Sequence, residues 1–315
     1  MRELISRKTI ALLFILFPVF ALAQVRETEC PFCGTASPKL KVMSFNIRNG
    51  RADVGENAWD NRKLSLAECI NIQDADVAGL QEVHDFQLKD ILKLCPEYSG
   101  IGKGRDDGEK GEQTSILWKP STLELLEWGC FWLSETPSVP SCGWDAKYPR
   151  TATWAFFRHK SSGNVFLFMN THLDHRGQLA RKEGLNLMLS EISKINVLRY
   201  PVVLTGDFNI PDVSKSIDTF SELMTDAREC SPEENPVKSF NAWGDSSRAA
   251  DIDYIFFSGF KSCIYFKTID SSYLGRKYIS DHYPVCACLS KQEKSIIQQL
   301  QHCGLAVIFP VLLCS

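Results

Sequence analysis

Short apolar runs recur along the chain between polar segments, and their spacing predicts strands. Residues 41–48 alternate apolar and polar side chains, which is typical of a strand with one buried face. Residues 165–169 and 202–205 are apolar or β-branched throughout, which is typical of strands that are buried on both faces. We predict strands at 41–48, 77–83, 165–169, 202–205, 251–257 and 280–289.

Two longer segments have helical periodicity. Residues 60–73 place Leu64, Ala67 and Ile70 at helical spacing, and residues 176–199 carry a stripe of leucine, methionine and isoleucine. We interpret both stripes as helix faces that pack on a core.

Polar side chains stand at the ends of the predicted strands. In residues 206–209, a glycine ends an apolar strand just before Asp207 and Asn209. An ionised aspartate at the mouth of an apolar strand is costly unless a positive charge meets it, and oxygen ligands of this kind suit a hard cation such as Mg²⁺. A simple Gly-Asp turn is the alternative interpretation.

The same arrangement recurs in the other strands, at the carboxyl ends of some and the amino ends of others. Antiparallel neighbours bring opposite strand ends to one edge of a sheet. We therefore expect one edge to collect the polar side chains of Asn46, Glu82, Asn170, His172, Asp207, Asn209, Asp253, Asp281 and His282.

Six motifs carry a family resemblance. They are SFNIR at 44–48, LQEV at 80–83, NTHLDH at 170–175, GDFN at 206–209, IDYIF at 252–256 and SDHYPV at 280–285. In this order they resemble the endonuclease/exonuclease/phosphatase superfamily. The resemblance implies the deoxyribonuclease-I-like fold, which is a four-layer α/β sandwich of two packed mixed β-sheets flanked by helices. Segments 57–63, 132–137 and 148–151 resemble an exported bacterial-type branch that is similar to the deadenylase-like members.

The resemblance implies a metal site. Glu82 is the main expected ligand of Mg²⁺, and Asn46 and Asp281 are expected to complete the site directly or through water. Mn²⁺ is the expected substitute ion.

It also implies two catalytic histidines. His282 is expected to be oriented by Asp253, because a carboxylate on one ring nitrogen fixes the tautomer and frees the other nitrogen. His172 is expected to pair with Glu112. Either Asp207 or the His282–Asp253 pair would take the proton of the attacking water, and the sequence leaves both open.

The remaining site residues would contact the phosphoryl group or the substrate. Asp207 and Asn209 are expected to hold the attacking water and a metal or phosphoryl oxygen, and Asn170 to donate to that oxygen as charge builds. Arg150 is a candidate phosphate contact because its guanidinium fits phosphate bidentately. His175 is a further candidate for substrate binding.

The amino terminus predicts export. Basic residues, an apolar stretch at 10–20 and the sequence Ala21-Leu22-Ala23 form a signal-peptide pattern. This stretch is shorter than the roughly 20 residues that a bilayer requires. We predict a signal peptide at 1–23, the catalytic domain at 39–290, a tail at 291–315, and a secreted or periplasmic protein. An uncleaved anchor is the alternative.

Charge and cysteine content narrow the classes of function. The full chain carries a formal charge of −3, and broad electrostatic binding of nucleic acid usually requires a basic protein. A bound metal would supply local positive charge, so the argument is limited. All 12 cysteines follow the predicted cleavage site, which predicts disulfides in an exported chain. Cys130 and Cys142 bracket a Pro-rich loop that a bridge would close.

We expect a monomer with no obligatory protein partner. Residues 304–315 are apolar but too few to span a membrane. A packed or disordered tail, a membrane contact and a lipid-anchor signal are the alternatives for this segment.

The sequence thus predicts a secreted Mg²⁺-dependent phosphoesterase that hydrolyses phosphodiester bonds by in-line water attack, such as an endonuclease or a 3′–5′ exonuclease. A phosphomonoesterase acting on sugar, inositol or nucleotide phosphates and a sphingomyelinase-type lipid phosphodiesterase are alternatives, because one fold serves all these substrates. The non-enzyme alternative is a binding module that has lost catalysis. Such a module should lack one of the main acids or histidines, and none is missing.

Overall fold

The computed structural model describes residues 39–211, 218–230 and 237–290. The predicted signal peptide and tail lie outside these residues. The strands are β1 (Lys39–Asn46), β2 (Val77–Val83), β3 (Ser99–Ile101), β4 (Gln113–Trp118), β5 (Leu123–Trp132), β6 (Thr151–His159), β7 (Val165–His172), β8 (Val202–Asp207), β9 (Thr225–Asp226), β10 (Asp253–Ser258), β11 (Ser262–Thr268) and β12 (Val285–Ser290). The helices are α1 (Trp59–Gln73), α2 (Asp85–Leu94), α3 (Gln178–Ile195) and α4 (Asp218–Leu223).

The strands form two mixed six-stranded sheets. The first has the order β11-β12-β1-β2-β4-β3, and the second has the order β5-β6-β7-β8-β10-β9. The pairs β1–β2 and β7–β8 are parallel, and the other pairs are antiparallel.

Three apolar layers hold the sheets and helices together. Between the sheets, Val42 packs in one cluster with Phe157 and Phe166. On the outer face of the first sheet, residues of α1 and α2 pack with β1 and β2, and on the outer face of the second, residues of α3 and α4 pack with β7 and β8. The predicted four-layer α/β sandwich is confirmed.

The pairing register of the strands brings the predicted site residues together. In the parallel pair β7–β8, His172 lies opposite Asp207, and in the antiparallel pair β8–β10, Asp207 lies opposite Asp253. From the first sheet, Asn46 Nδ2 donates to Asp207 Oδ2 over 2.9 Å. Both sheets therefore contribute to one edge, as the strand ends predicted.

Asn170 lies deep between the sheets, away from this edge. Its Nδ2 donates to the backbone carbonyls of Leu80 (2.8 Å) and Ser115 (2.9 Å), and its Oδ1 accepts from Thr205 Oγ1 (3.1 Å). The predicted role of Asn170 as a donor to a phosphoryl oxygen is therefore wrong: its amide hydrogens join the two sheets. The approach here is so close that a Cβ on Gly79 would overlap the Asn170 side chain.

The prediction of disulfides is not confirmed, and Cys130 and Cys142, the candidate pair, form no bridge. The eight cysteines within the described ranges are all free thiols. The Cys142 Sγ contacts the carbonyl of Ala146 at 3.3 Å instead of another sulfur. No helix in the described part of the chain is both long and apolar enough to cross a membrane.

Candidate active site

Three residues at the shared sheet edge have left-handed backbone. The φ angles are +61° for Arg48, +61° for Glu82 and +51° for Asn209. At Glu82 the β2–β4 register shifts between Leu80 and Val83, so a β-bulge interrupts the strand. Left-handed conformations are costly for residues other than glycine and concentrate at functional sites.

A buried arginine of α1 fixes two segments of this edge. Arg62 is fully buried, and its guanidinium donates to the carbonyls of Ile47, Arg48 and Ile279. The carbonyls of Ile47 and Arg48 directly follow β1, and the carbonyl of Ile279 lies two residues before Asp281. Arg62 thus connects the segments that carry the predicted metal ligands Asn46 and Asp281.

The predicted metal ligands lie beside Asp207. Asn46 Nδ2 lies 3.1 Å from Glu82 Oε1 and 2.9 Å from Asp207 Oδ2. Glu82 Oε2 accepts from the backbone N–H of Asn49 over 2.7 Å. Burial alone would raise the pKa of Glu82, but the charge of Arg48 and these hydrogen bonds bring the pKa below its ordinary value.

Asp281 completes this group of oxygen donors. Its Oδ2 lies 3.1 Å from Arg48 Nη1, and burial raises its pKa despite the nearby charges of His282 and Arg48. Carboxylate and carboxamide oxygens are the donors that a hard divalent cation prefers. The carboxylates of Glu82 and Asp281 therefore suit Mg²⁺ or Mn²⁺ chemically, whereas Asn46 directs its Nδ2 at Glu82 and its Oδ1 accepts from the backbone N–H of Arg48.

His282 lies between two carboxylates. Its Nδ1 lies 2.8 Å from Asp253 Oδ2, and its Nε2 lies 3.6 Å from Asp207 Oδ2. Ligand atoms of these three buried residues lie within 4.8 Å of one another. Burial opposes the positive charge, but the two carboxylates outweigh it and raise the pKa of His282 to about 10. Burial raises the pKa of Asp207 to about 7, although the charge of His282 opposes this rise.

His172 contacts the same carboxylate from the other side. Its Nε2 lies 3.5 Å from Asp207 Oδ2 and 3.2 Å from Asn209 Nδ2. Burial, with the positive charges of Arg150 and Arg105, holds the pKa of His172 well below its ordinary value. His172 is therefore neutral where His282 is protonated.

Glu112 does not pair with His172, which corrects the sequence-based expectation. Its Oε1 accepts from Asn49 Nδ2 over 2.7 Å, and its Oε2 lies 2.6 Å from Arg105 Nη1. Within the described residues, no hydrogen bond joins Glu112 to His172, because Asn49 and Arg105 occupy both carboxylate oxygens of Glu112. The two residues nevertheless line one cavity.

Arg150 and His175 lie side by side, as a shared substrate surface would require. Arg150 Nε lies 3.4 Å from Asp174 Oδ2, and its Nη2 lies 3.2 Å from His175 Nδ1. The His175 ring stacks on Tyr148 with centroids 5.9 Å apart. Arg150 Nη1 is buried and has no hydrogen-bond partner in the described part of the chain.

One cleft of about 550 Å³ collects these side chains. Of the predicted residues, it is lined by Glu82, Glu112, Arg150, His172, His175, Asp207, Asn209, Asp281 and His282. Asn46 and Asp253 lie behind it and contact lining residues.

Sequence reasoning missed three arginines that line the cleft, Arg48, Arg105 and Arg248. Arg48 lies on the polar face of the first predicted strand, the same face as Asn46, and this position could have marked it as a candidate. Arg105 and Arg248 lie in polar loops without any periodic pattern, so no sequence signal marks them.

Comparison with known proteins decides the family. Residues 43–282 match the Endonuclease/Exonuclease/phosphatase family. The chain belongs to this family. The predicted family is therefore confirmed, and the chain is a phosphoesterase in the broad sense of its members.

Solved structures from Bacteroides are similar over their whole length. A mannosyl-6-phosphatase of Bacteroides thetaiotaomicron is 35% identical, covers 79% of this chain and 99% of its own, and superposes with a TM-score of 0.74. A family protein of Bacteroides vulgatus is 33% identical, covers 81% and 100%, and superposes with a TM-score of 0.76. The human Nocturnin catalytic domain, at 21% identity over 81% and 94% with a TM-score of 0.63, shares the fold.

Proposed function

We propose that this protein is a Mg²⁺-dependent phosphoester hydrolase in which water attacks phosphorus in line with the leaving oxygen. The position of Asp207 carries the proposal. Its Oδ2 lies 3.5 Å from His172 Nε2 and 3.6 Å from His282 Nε2. A carboxylate between two imidazoles, in a cleft that also contains Glu82, suits the placement of a water molecule against a phosphoryl group.

Glu82 and Asp281 would hold the ion. A divalent cation bound there supplies positive charge to the phosphoryl oxygens and thereby stabilises the transition state.

His282 is the donor in this arrangement, and Asp207 is the base. Because carboxylates flank both nitrogens of the His282 ring, the ring is stable as a cation, and its Nε2–H can donate to a phosphoryl oxygen. Asp207 takes the proton of the attacking water as the new bond to phosphorus forms. The bond to the ester oxygen breaks, its electron pair goes to the leaving alcohol, and this oxygen takes a proton from solvent in the open cleft.

A phosphomonoester of a sugar is the proposed substrate, in place of the phosphodiester that the sequence favoured. The support is the 35% identity to a mannosyl-6-phosphatase, which this chain matches over 99% of that chain's length. The negative formal charge of −3 is also unfavourable for a protein that binds nucleic acid through its phosphates.

Export of a monomer is part of the proposal. The signal-peptide pattern at residues 1–23 supports a secreted or periplasmic location.

The test is turnover of the purified protein on mannose 6-phosphate, p-nitrophenyl phosphate and bis-(p-nitrophenyl) phosphate with Mg²⁺ or Mn²⁺. We expect release of phosphate from the monoesters, its loss in EDTA, and a fall in kcat of at least about 100-fold in Glu82→Gln, because changing a residue that merely orients a metal ligand already costs about 10–100-fold.

Glu124→Gln is the matched control, since Glu124 is half-exposed and pairs with Arg158. Its activity should equal that of the wild type. Absence of turnover on every ester with either ion would refute the proposal and favour a binding module.

A further inference from the structure

Arg105 and Arg150 both line the cleft of about 550 Å³ and a water-sized pocket that shares lining residues with it. The lining of this pocket includes Glu82, Arg105, Glu112, Arg150 and His172. The pocket therefore lies against both the carboxylate expected to hold the ion and one of the two histidines that contact Asp207.

Both arginines have a buried nitrogen without a partner. Arg150 is only 5% exposed, and its Nη1 has no hydrogen bond within the described residues. The same holds for Arg105 Nε. Buried N–H groups without an acceptor are uncommon in folded proteins and call for an explanation such as a ligand.

Arg105 is held firmly in this position. Its Nη1 lies 2.6 Å from Glu112 Oε2, its guanidinium carbon lies 5.3 Å from the Tyr148 ring centroid, and its carbonyl accepts from Trp132 Nε1 over 2.7 Å. The Asn49 side chain and backbone then connect Glu112 to Glu82. Arg105 is thus preorganised at a fixed position relative to the metal ligands, which electrostatic recognition requires.

We infer that Arg105 and Arg150 together bind the terminal oxygens of a phosphomonoester and thereby select monoesters over diesters. A monoester has three terminal oxygens and is largely a dianion at pH 7, because its second pKa is about 6. A diester has two terminal oxygens and one charge. Its second ester group would bring an uncharged substituent against the two guanidinium groups, and no extra oxygen would satisfy them.

The inference rests on the proposed phosphoesterase function and names the residues of the same cleft that select its substrate class. Arginine suits this role better than lysine, because its planar fork donates two directed hydrogen bonds to phosphate.

The experiment compares kcat/KM for p-nitrophenyl phosphate and bis-(p-nitrophenyl) phosphate in the wild type, Arg105→Gln, Arg105→Lys and Arg158→Gln. Arg158 is a half-exposed arginine on β6 that pairs with Glu124, so it is the matched control. Loss of a charged hydrogen bond is worth roughly 10- to 100-fold, so we expect Arg105→Gln to lower monoester kcat/KM by about that factor and diester kcat/KM by less than about threefold. Arg105→Lys should recover only part of the loss, and Arg158→Gln should match the wild type.

Equal losses on both esters, or no loss on either, would overturn the inference while leaving the esterase function intact. A wild type that is inactive on both esters would instead overturn the proposed function. Binding of inorganic phosphate to EDTA-treated protein, measured by calorimetry, is the second readout: weaker binding in Arg105→Lys supports the inference, and unchanged binding contradicts it. This readout decides the question if Arg105→Gln fails to fold.

Discussion

The two histidines of the cleft contact one carboxylate and yet carry opposite charge. His282 faces Asp253 and Asp207, which raise its pKa to about 10 despite its burial. His172 is buried as well, but it faces Arg150 and Arg105, and its pKa lies well below the ordinary value. Burial is common to both regions, so the sign of the neighbouring charges makes the difference.

In the proposed mechanism, this contrast gives the two histidines different tasks. A protonated imidazole can neutralise charge that develops on a phosphoryl group, whereas a neutral imidazole beside Asn209 serves to position its neighbours. In the proposed mechanism, the carboxylates make His282 the histidine that acts electrostatically, and the arginines keep His172 neutral.

The largest expected effect is that of removing the charge at His282. His282→Gln should lower kcat by about 1,000-fold, because loss of one preorganised donor to a developing oxyanion costs about 10²–10³ and the charge of the ring is lost with it. The measurement is steady-state turnover of a phosphomonoester with saturating Mg²⁺.

His172→Gln is the matched change on the other side of Asp207. It should lower kcat by only about 10-fold, at the scale of a positioning residue. Equal losses in the two variants would abolish the distinction between the histidines.

The next effect tests how His282 acquires its charge. Asp253→Asn keeps the size of the side chain but removes one of the two carboxylates at the His282 ring. Loss of such an orienting partner costs 10- to 100-fold, and we expect kcat to fall by about 100-fold. The apparent pKa of His282, followed by NMR in EDTA-treated protein, should fall as well. An unchanged pKa would show that Asp207 alone controls the ring.

The two histidines should also affect the stability of the fold, with opposite dependence on pH. Because the folded-state pKa of His282 is raised to about 10, its stabilisation is complete below pH 6.5 and is lost as pH rises through about 10. The folded-state pKa of His172 is lowered, so the unfolded chain binds the extra proton and stability falls as pH drops below 6.5. Each histidine contributes at most about 1.4 kcal/mol per pH unit to the slope of the unfolding free energy against pH.

Urea unfolding of EDTA-treated protein between pH 5 and pH 10 measures this difference. His282→Gln should be less stable than the wild type by about 3 kcal/mol at pH 7, as for a broken buried pair, and should approach the wild type near pH 10. The free energy of unfolding of His172→Gln should rise relative to that of the wild type as the pH falls below 6.5. Curves parallel to the wild type for both variants would refute the pKa assignment.

The residues at strand ends were predictable, and those in loops were not. Asp207 and Asp253 were predicted to meet, because apolar runs locate strands and antiparallel pairing brings opposite ends together. Asn170 was assigned to the cleft wrongly, since it points the same way as His172 but lies two residues, or roughly 7 Å, deeper in the strand. Glu112 and Arg105 lie towards the two ends of an irregular loop, and the path of such a loop cannot be predicted from hydrophobic periodicity.

The sequence by itself determined the two-sheet fold, the family and most members of the acid and histidine group, because strand periodicity and ordered motifs are local properties of the chain. Only the tertiary structure decided which histidine is the more basic and which arginines line the cleft. Those properties depend on burial and on charges from residues distant in sequence, such as Arg105 and Arg150 around His172, and Coulomb interactions follow distance in space.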